Sequence, residues 1–117
     1  MKGWRRMRNT CSLEMDYCTY ENCFFYTKRD PRTKVLSIQA YYINEDGEIE
    51  PLLTVTVGVS VLPPHQVAIK NHSENAGLLT SLQKLGIVKR VVTHITKGFV
   101  SIPICELDEE ILKEYAA

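Results

Sequence analysis

The sequence predicts an α+β fold: an antiparallel β-sheet with one central helix and a short C-terminal helix, in a single domain spanning residues 1–117. Three observations carry this expectation. Segments with two-residue alternation are joined by short turn signals, of which Asn44-Glu45-Asp46-Gly47 is the strongest. One helical stripe, Leu78, Leu79, Leu82 and Leu85, lies between the earlier and the later strands. The order of strands, helix, strands and helix does not repeat in the way a wound parallel sheet requires.

Taken in order, residues 1–9 read as a flexible basic arm carrying Lys2, Arg5, Arg6 and Arg8. Residues 10–28 are rich in Thr, Tyr, Phe and Cys and suit one or two strands, broken near Glu21-Asn22. Lys28 to Arg32 form a turn, because Pro31 pushes Asp30 out of helical geometry. A strand from Lys34 to Ile43 places Leu36, Ile38, Ala40 and Tyr42 on one face. After the Gly47 turn, residues 48–58 alternate Leu53, Val55 and Val57 against Thr54 and Thr56. Pro51 lacks a ladder donor, so its end of that strand is an edge or a bulge.

Val61-Leu62-Pro63-Pro64 is extended, and a short strand follows from Gln66 to Lys70. Asn71 is then the expected N-cap, with Glu74 completing a capping-box-like pair. The helix runs to about Leu85 and stops at Gly86. Residues 87–95 and 99–105 form two further strands joined near Thr96-Lys97-Gly98. Asp108 caps the last helix, with Glu109 and Glu110 in its first turn and Ile111, Leu112 and Tyr115 facing inward.

The charge balance narrows the function classes. Fourteen Lys/Arg meet fourteen Asp/Glu, for a formal net charge of zero. A general DNA or RNA binder carries a cationic excess, so neither is an expected partner. The charge is uneven, however: residues 1–34 hold eight of the cations and four acids, whereas residues 35–117 hold six and ten. No apolar run approaches the ~20 residues of a membrane span. No apolar stretch follows the basic start, so a secretory signal is not expected and the chain is read as cytoplasmic. Cys11, Cys18, Cys23 and Cys105 are then reduced thiols, without close-paired zinc spacing.

No metal, cofactor or catalytic group is expected. His65, His72 and His94 lie in no metal-binding spacing, and no P-loop, GxSxG, HExxH or GxGxxG is present. Cys105 with His94 is the one nucleophile–base pair to name. The carboxylates at 106–110 read as the acidic start of the last helix.

Binding residues are easier to nominate. Asn71, His72 and Ser73 sit where a helix start leaves backbone N–H groups free to hold a phosphate or a base edge. Lys89, Arg90 and Lys97, with His94 and Thr96, lie along or beside one strand and would line a groove. Phe99 follows the flexible Gly98, and core packing is preferred for it over stacking on a base. The candidate site is therefore Asn71, His72, Lys89, Arg90, His94, Thr96, Lys97 and Phe99.

A set of ordered short motifs resembles a known family. These are Thr54-Val55-Thr56-Val57-Gly58, Leu62-Pro63-Pro64-His65-Gln66, Asn71, Leu85-Gly86-Ile87, Gly98-Phe99-x3-Pro103-Ile104 and Leu107-Asp108. Over roughly residues 35–115 the chain is similar to the first-described type of Thoeris anti-defence sponges, small prophage and bacterial proteins.

The resemblance implies a non-enzymatic phage protein acting in the cytoplasm of an infected bacterium. Such a protein binds a cyclic nucleotide signal, glycocyclic ADP-ribose or a cyclic di- or trinucleotide, and withholds it from Thoeris or CBASS-type effectors. It also implies a homo-oligomer, a dimer or a multiple of dimers, with arginine and polar contacts to phosphates and an aromatic contact to the base. This chain departs from the family where an arginine- and glycine-rich run is expected, having Thr93-His94-Ile95-Thr96-Lys97 instead. Lysine binds phosphate as a point charge and lacks the fork of arginine. Two other readings are a small adaptor or inhibitor that binds protein and no nucleotide, and a phosphodiesterase-like enzyme, disfavoured for lack of paired histidines or a metal cluster.

Overall fold

The period-two segments form strands and the apolar stripe forms a helix, in an α+β domain of antiparallel sheets. The computed structural model describes residues 9–59 and 61–117. The strands are β1 (Cys11–Glu14), β2 (Thr19–Arg29), β3 (Leu36–Ile43), β4 (Ile49–Thr54), β5 (Gln66–Ala68), β6 (Val88–Lys97) and β7 (Val100–Leu107). The helices are α1 (Leu78–Lys84) and α2 (Glu109–Glu114), with a 3-10 turn at Ser73–Asn75. One sheet has the order β1-β2-β3-β4 and the other β5-β7-β6. Of the basic arm expected at 1–9, residues 1–8 lie outside the described residues; Asn9 donates its N–H to Glu114 O.

The two sheets meet at a seam built by Val55, Thr56 and Val57. Val55 donates to Ile38 O on β3 and accepts from Lys70 N, while Val57 donates to Ala68 O. Thr56 forms an antiparallel bridge with Ile69, and its Oγ1 accepts from Ile38 N at 3.1 Å. A hydroxyl thus replaces a backbone carbonyl in the β3 ladder, and the Thr56 backbone turns to the next strand. Beyond it, Ile69 donates to Pro103 O and reaches β7.

α1 touches both β1 and β6, the outer strands of the two sheets. On the β1 side the contact is specific: Glu14 N donates to Ser81 Oγ at 2.7 Å and Asp16 N to Ala76 O at 2.9 Å. The C-terminus covers β2 beyond β1, with Phe25 N donating to Tyr115 O and Ala117 N to Phe25 O. The core lies within this wrap. Leu13, Cys23, Phe25, Ile38, Ala40 and Val55 meet Val67, Ile69, Leu78, Leu82, Cys105 and Leu112 there. A smaller cluster, Ala68, Ile102 and Ile104, lies under Val57, Val59 and Leu62.

Most local expectations hold, and their departures have physical causes. The break between β1 and β2 falls at residues 15–18. Glu21-Asn22 instead sit where the β1–β2 register shifts, with Asn22 at φ 57°. The register of β3 and β4 also shifts between Ala40 and Tyr41, opposite Pro51, and β4 is the last strand of its sheet, so Pro51 is both at a bulge and on an edge strand. Asn44 Oδ1 accepts from Asp46 N and Glu48 N and shapes the expected hairpin turn.

The central helix differs most. It begins at Leu78, seven residues after Asn71, because Ser73 takes φ 55° and Gly77 takes φ 96°. Glu74 forms no capping box and pairs with Lys70 at 2.6 Å. Asn75, fully buried, holds the 3-10 turn to the seam through Nδ2 to Thr54 O at 2.7 Å. α2 matches its expectation: Asp108 Oδ1 accepts from Glu110 N and Ile111 N, and Leu112 is buried.

Gly77 tests the closure by α1. A Cβ there would lie 2.5 Å from Asp16 Oδ1 and 2.6 Å from Asp16 N, at a left-handed φ. Gly77→Ala is expected to destabilise the fold by about 2 kcal/mol or more, from strain and forced displacement of β1. Chemical denaturation measures it; an unchanged midpoint would show that α1 does not hold the β1 edge.

Candidate functional site

The seam places polar side chains on the outer face of the sheets. Inward Leu53, Val55 and Ile69 alternate with outward Thr54, Thr56 and Lys70, so the outward residues collect where the sheets join. Lys97 arrives from the end of β6, opposite Val100 on β7, and His72 from the loop after Lys70. Together these residues line an open cleft of about 450 Å³ whose apolar side includes Val57, Val100 and Ile102.

The polar groups in this cleft are held in place. Thr54 Oγ1 donates to Gln39 Oε1 at 2.9 Å, and Thr56 Oγ1 is engaged with Ile38 N. Lys70 Nζ pairs with Glu74, whose carboxyl is held below its ordinary value chiefly by that hydrogen bond. Lys97 Nζ donates to Gly58 O at 3.2 Å. His72 Nδ1 is enclosed and has no hydrogen-bond partner among the described residues. Two cations, the Thr56 hydroxyl and a histidine face a space of small-ligand size, a donor set suited to an anion.

A second cleft, about 420 Å³, lies on the other side of Lys97. Its walls are mainly aliphatic: Val59, Val61, Leu62, Ile95 and Ile104, with Thr96 at the margin. Residues 57–59 and 61–62, here called the strap, lie on the face of the second sheet, and the Lys97–Gly58 hydrogen bond ties Gly58 to the β6–β7 hairpin.

The eight residues nominated from the sequence are therefore divided. His72 and Lys97 share the first cleft; Thr96 and Lys97 share the second. Asn71 enters neither: its Oδ1 accepts from Leu79 N at 2.8 Å, capping α1 from eight residues upstream. The Leu79 N–H at that helix start is thus already engaged by a side chain of this protein. Arg90 pairs with Glu106 at 2.6 Å, and Lys89 lies beside a different depression with His65 and Glu109. His94 is exposed and opposite Pro103. A strand rises about 3.3 Å per residue, so Lys89 and Arg90 stand more than about 20 Å from Lys97 along β6. The three cations do not converge.

Phe99 corrects a further expectation. It occupies the two-residue tip between β6 and β7 and is fully exposed (108%), outside the core and outside both clefts. Gly98, at φ 64°, makes the turn that projects it. The Cys105–His94 pair does not form either. Cys105 is fully buried opposite Val91, and burial pushes its thiol up to about 11. Lys70, Thr54 and Thr56 were not nominated. Their signal was the Thr-x-Thr alternation, which reads as the solvent side of an ordinary strand until a second sheet is placed beside it.

No protein-family model matches the chain, and no curated protein or solved structure is significantly similar to it. No helix among the described residues is long and apolar enough to cross a membrane. No group of three or more His, Cys, Asp or Glu placed to hold a metal ion occurs among them.

Two substitutions test this placement. The Arg90 hydrogen bond and charge hold the Glu106 carboxyl below its ordinary value. The stabilisation from that lowered pKa is present above the ordinary carboxylate range and is lost as pH falls through the lowered value. In Arg90→Ala the Glu106 titration, followed by carboxyl NMR shifts, is expected to move upward. Phe99→Ser is expected to change stability by less than about 0.5 kcal/mol, as for an exposed position; a large loss on thermal unfolding would place the ring in a contact.

Proposed function

We propose that this protein sequesters a cyclic nucleotide of the glycocyclic ADP-ribose or cyclic oligonucleotide class without cleaving it. The observation that carries the reading is the cleft at the seam, where Lys70, His72 and Lys97 face one another across Thr54 and Thr56. A phosphate entering there meets two ammonium groups and a histidine, Lys97 from the end of β6 and Lys70 and His72 from the segment after β5. Each charge-assisted hydrogen bond is worth about 1.5–3 kcal/mol. Two or three of them with apolar contact from Val100 and Ile102 reach the range of a micromolar or tighter ligand. The resemblance of Leu62–Gln66 and Gly98–Phe99 to the Thoeris sponges supports the ligand class, and the engaged hydroxyls support holding over reacting. The site of action in this proposal is the cytoplasm of an infected bacterium, where the ligand is kept from Thoeris or CBASS-type effectors.

The binding residues proposed here are Lys70, His72 and Lys97, in place of the wider set along β6. Association of copies into a dimer or a multiple of dimers belongs to the same proposal. It is supported by the exposed Phe99 and Val92 along one hairpin, apolar surface of the kind found at interfaces. That hairpin is equally the feature a protein-binding adaptor without a nucleotide ligand would use.

Calorimetric titration with cyclic ADP-ribose and cyclic di-AMP tests the reading. Lys97→Ala and Lys70→Ala are each expected to weaken binding about tenfold or more, from loss of one charge-assisted contact, with little change in melting temperature because the Lys70–Glu74 pair and the Lys97–Gly58 hydrogen bond are both solvent-exposed. Denaturing the loaded protein is expected to return the ligand chemically intact. Turnover of ligand at substoichiometric protein would mean an enzyme, and no heat of binding with either probe would leave the adaptor reading.

A further inference from the structure

The cationic cleft does not end at Lys97. The same side chain walls the aliphatic cleft beyond it, and its Nζ spans to Gly58 O on the strap. The first cleft has hydroxyls and ammonium groups; the second has Val59, Val61, Leu62, Ile95 and Ile104. Their floors are continuous, because Ile102 in the first and Ile104 in the second are successive outward residues of β7 within one apolar cluster. Two adjoining spaces of similar size, one suited to an anion and one to an apolar ring, share one cation at their boundary.

We propose that the cleft walled by Val61, Leu62 and Ile95 is a ring subsite, which takes the nucleobase of a nucleotide whose phosphates lie across Lys97 in the cationic cleft. This deepens the function proposed above and rests on it. The physical argument is one of matched chemistry across a shared residue. A nucleotide is a planar, weakly polar ring joined to an anion, and burying the ring against aliphatic side chains removes apolar surface from water on both sides. Lys97 is positioned to do two things. Its ammonium meets the phosphate, and its methylene stem forms the rim of the aliphatic cleft, as long cationic side chains commonly do. The carbonyl of Gly58, its present partner, marks where the ligand passes the strap.

The position of the walls gives the subsite a second property. Val61 is 77% exposed and Ile95 is 37% exposed, so both present free apolar surface to a ligand. Leu62, by contrast, already packs on the cluster beneath and serves as a fixed wall. A ring entering here meets one rigid side and two sides on the strap and the hairpin. Gly58 and the β6–β7 hairpin are tied by the Lys97–Gly58 hydrogen bond, and a phosphate competes for the same ammonium. A phosphate in the cationic cleft and the Gly58 carbonyl therefore share one partner, Lys97 Nζ.

The test compares cyclic ADP-ribose with inorganic pyrophosphate, which has the same linked phosphates and no ring. With the parent protein, cyclic ADP-ribose is expected to bind at least tenfold more tightly than pyrophosphate. In the double variant Val61→Ser, Ile95→Thr, two changes at exposed positions that each trade apolar surface for a hydroxyl, that advantage is expected to fall to threefold or less, with pyrophosphate affinity unchanged within twofold. Methyl resonances of Val61, Leu62 and Ile95 are expected to shift with cyclic ADP-ribose and not with pyrophosphate. Equal affinity for the two probes, or methyl groups that ignore the ring, overturns the subsite and leaves the cationic cleft standing. Pyrophosphate binding that is indifferent to Lys70→Ala and Lys97→Ala, or absent altogether, removes the cationic cleft and the subsite with it.

Discussion

Val55 is hydrogen-bonded on both sides, to Ile38 on β3 and to Lys70 beyond β5, and this double attachment makes one curved wall of two sheets. Each sheet alone has three or four strands and an apolar inner face. A meander of this size is marginal without something to cover that face. The seam supplies the cover by setting the second sheet where its inward residues, Val67, Ile69 and Cys105, meet Ile38, Ala40 and Phe25. Thr56 makes the junction possible. Its hydroxyl takes the place of a ladder carbonyl for Ile38 N, so its backbone is free to bridge Ile69 without leaving a buried donor unpaired.

The helices act as closures more than as independent elements. α1 has seven residues and α2 six, both too short to be stable alone in water. Their energy comes from the stripe they bury and from the strand groups they satisfy. Ser81 and Ala76 occupy the free edge of β1, and the chain after α2 occupies β2. The hydroxyl of Ser81 is buried for this reason, not as part of a ligand site. Gly77 and Ser73, both at positive φ, let the chain turn from the seam to the helix in a few residues. Asn71 then caps from a distance, which a sequence pattern based on adjacent capping residues does not anticipate.

The same seam creates the cleft. Outward residues of three separate segments, 54–56, 70–72 and 97–102, come together only because the strands that carry them are neighbours in the joined wall. In sequence they are scattered, and the pattern points only to His72 and Lys97 among them. The cations that look grouped in sequence, Lys89, Arg90 and Lys97, are spread along a ten-residue strand with two register shifts. Grouping along a strand measures distance poorly, because each residue adds over three ångströms and successive side chains face opposite ways.

The sequence by itself determined the α+β class, the hairpin at Asn44–Gly47, that Pro51 lies at an edge or a bulge, the apolar stripe of α1, and the Asp108 cap with its inward Leu112. Each depends on neighbours within a few residues: a turn needs Gly47, a cap needs an oxygen two or three residues ahead of the N–H it accepts, and a face needs only alternation. Tertiary structure alone decided that Phe99 is exposed at a hairpin tip, that Asn71 is committed to Leu79, and that Lys70 joins His72 and Lys97 across the seam. Those outcomes depend on which strand lies beside which. Backbone hydrogen bonds between strands are alike for every sequence, so local pattern sets the strands but not their partners. The pairing is selected by the burial of inward side chains drawn from the whole chain.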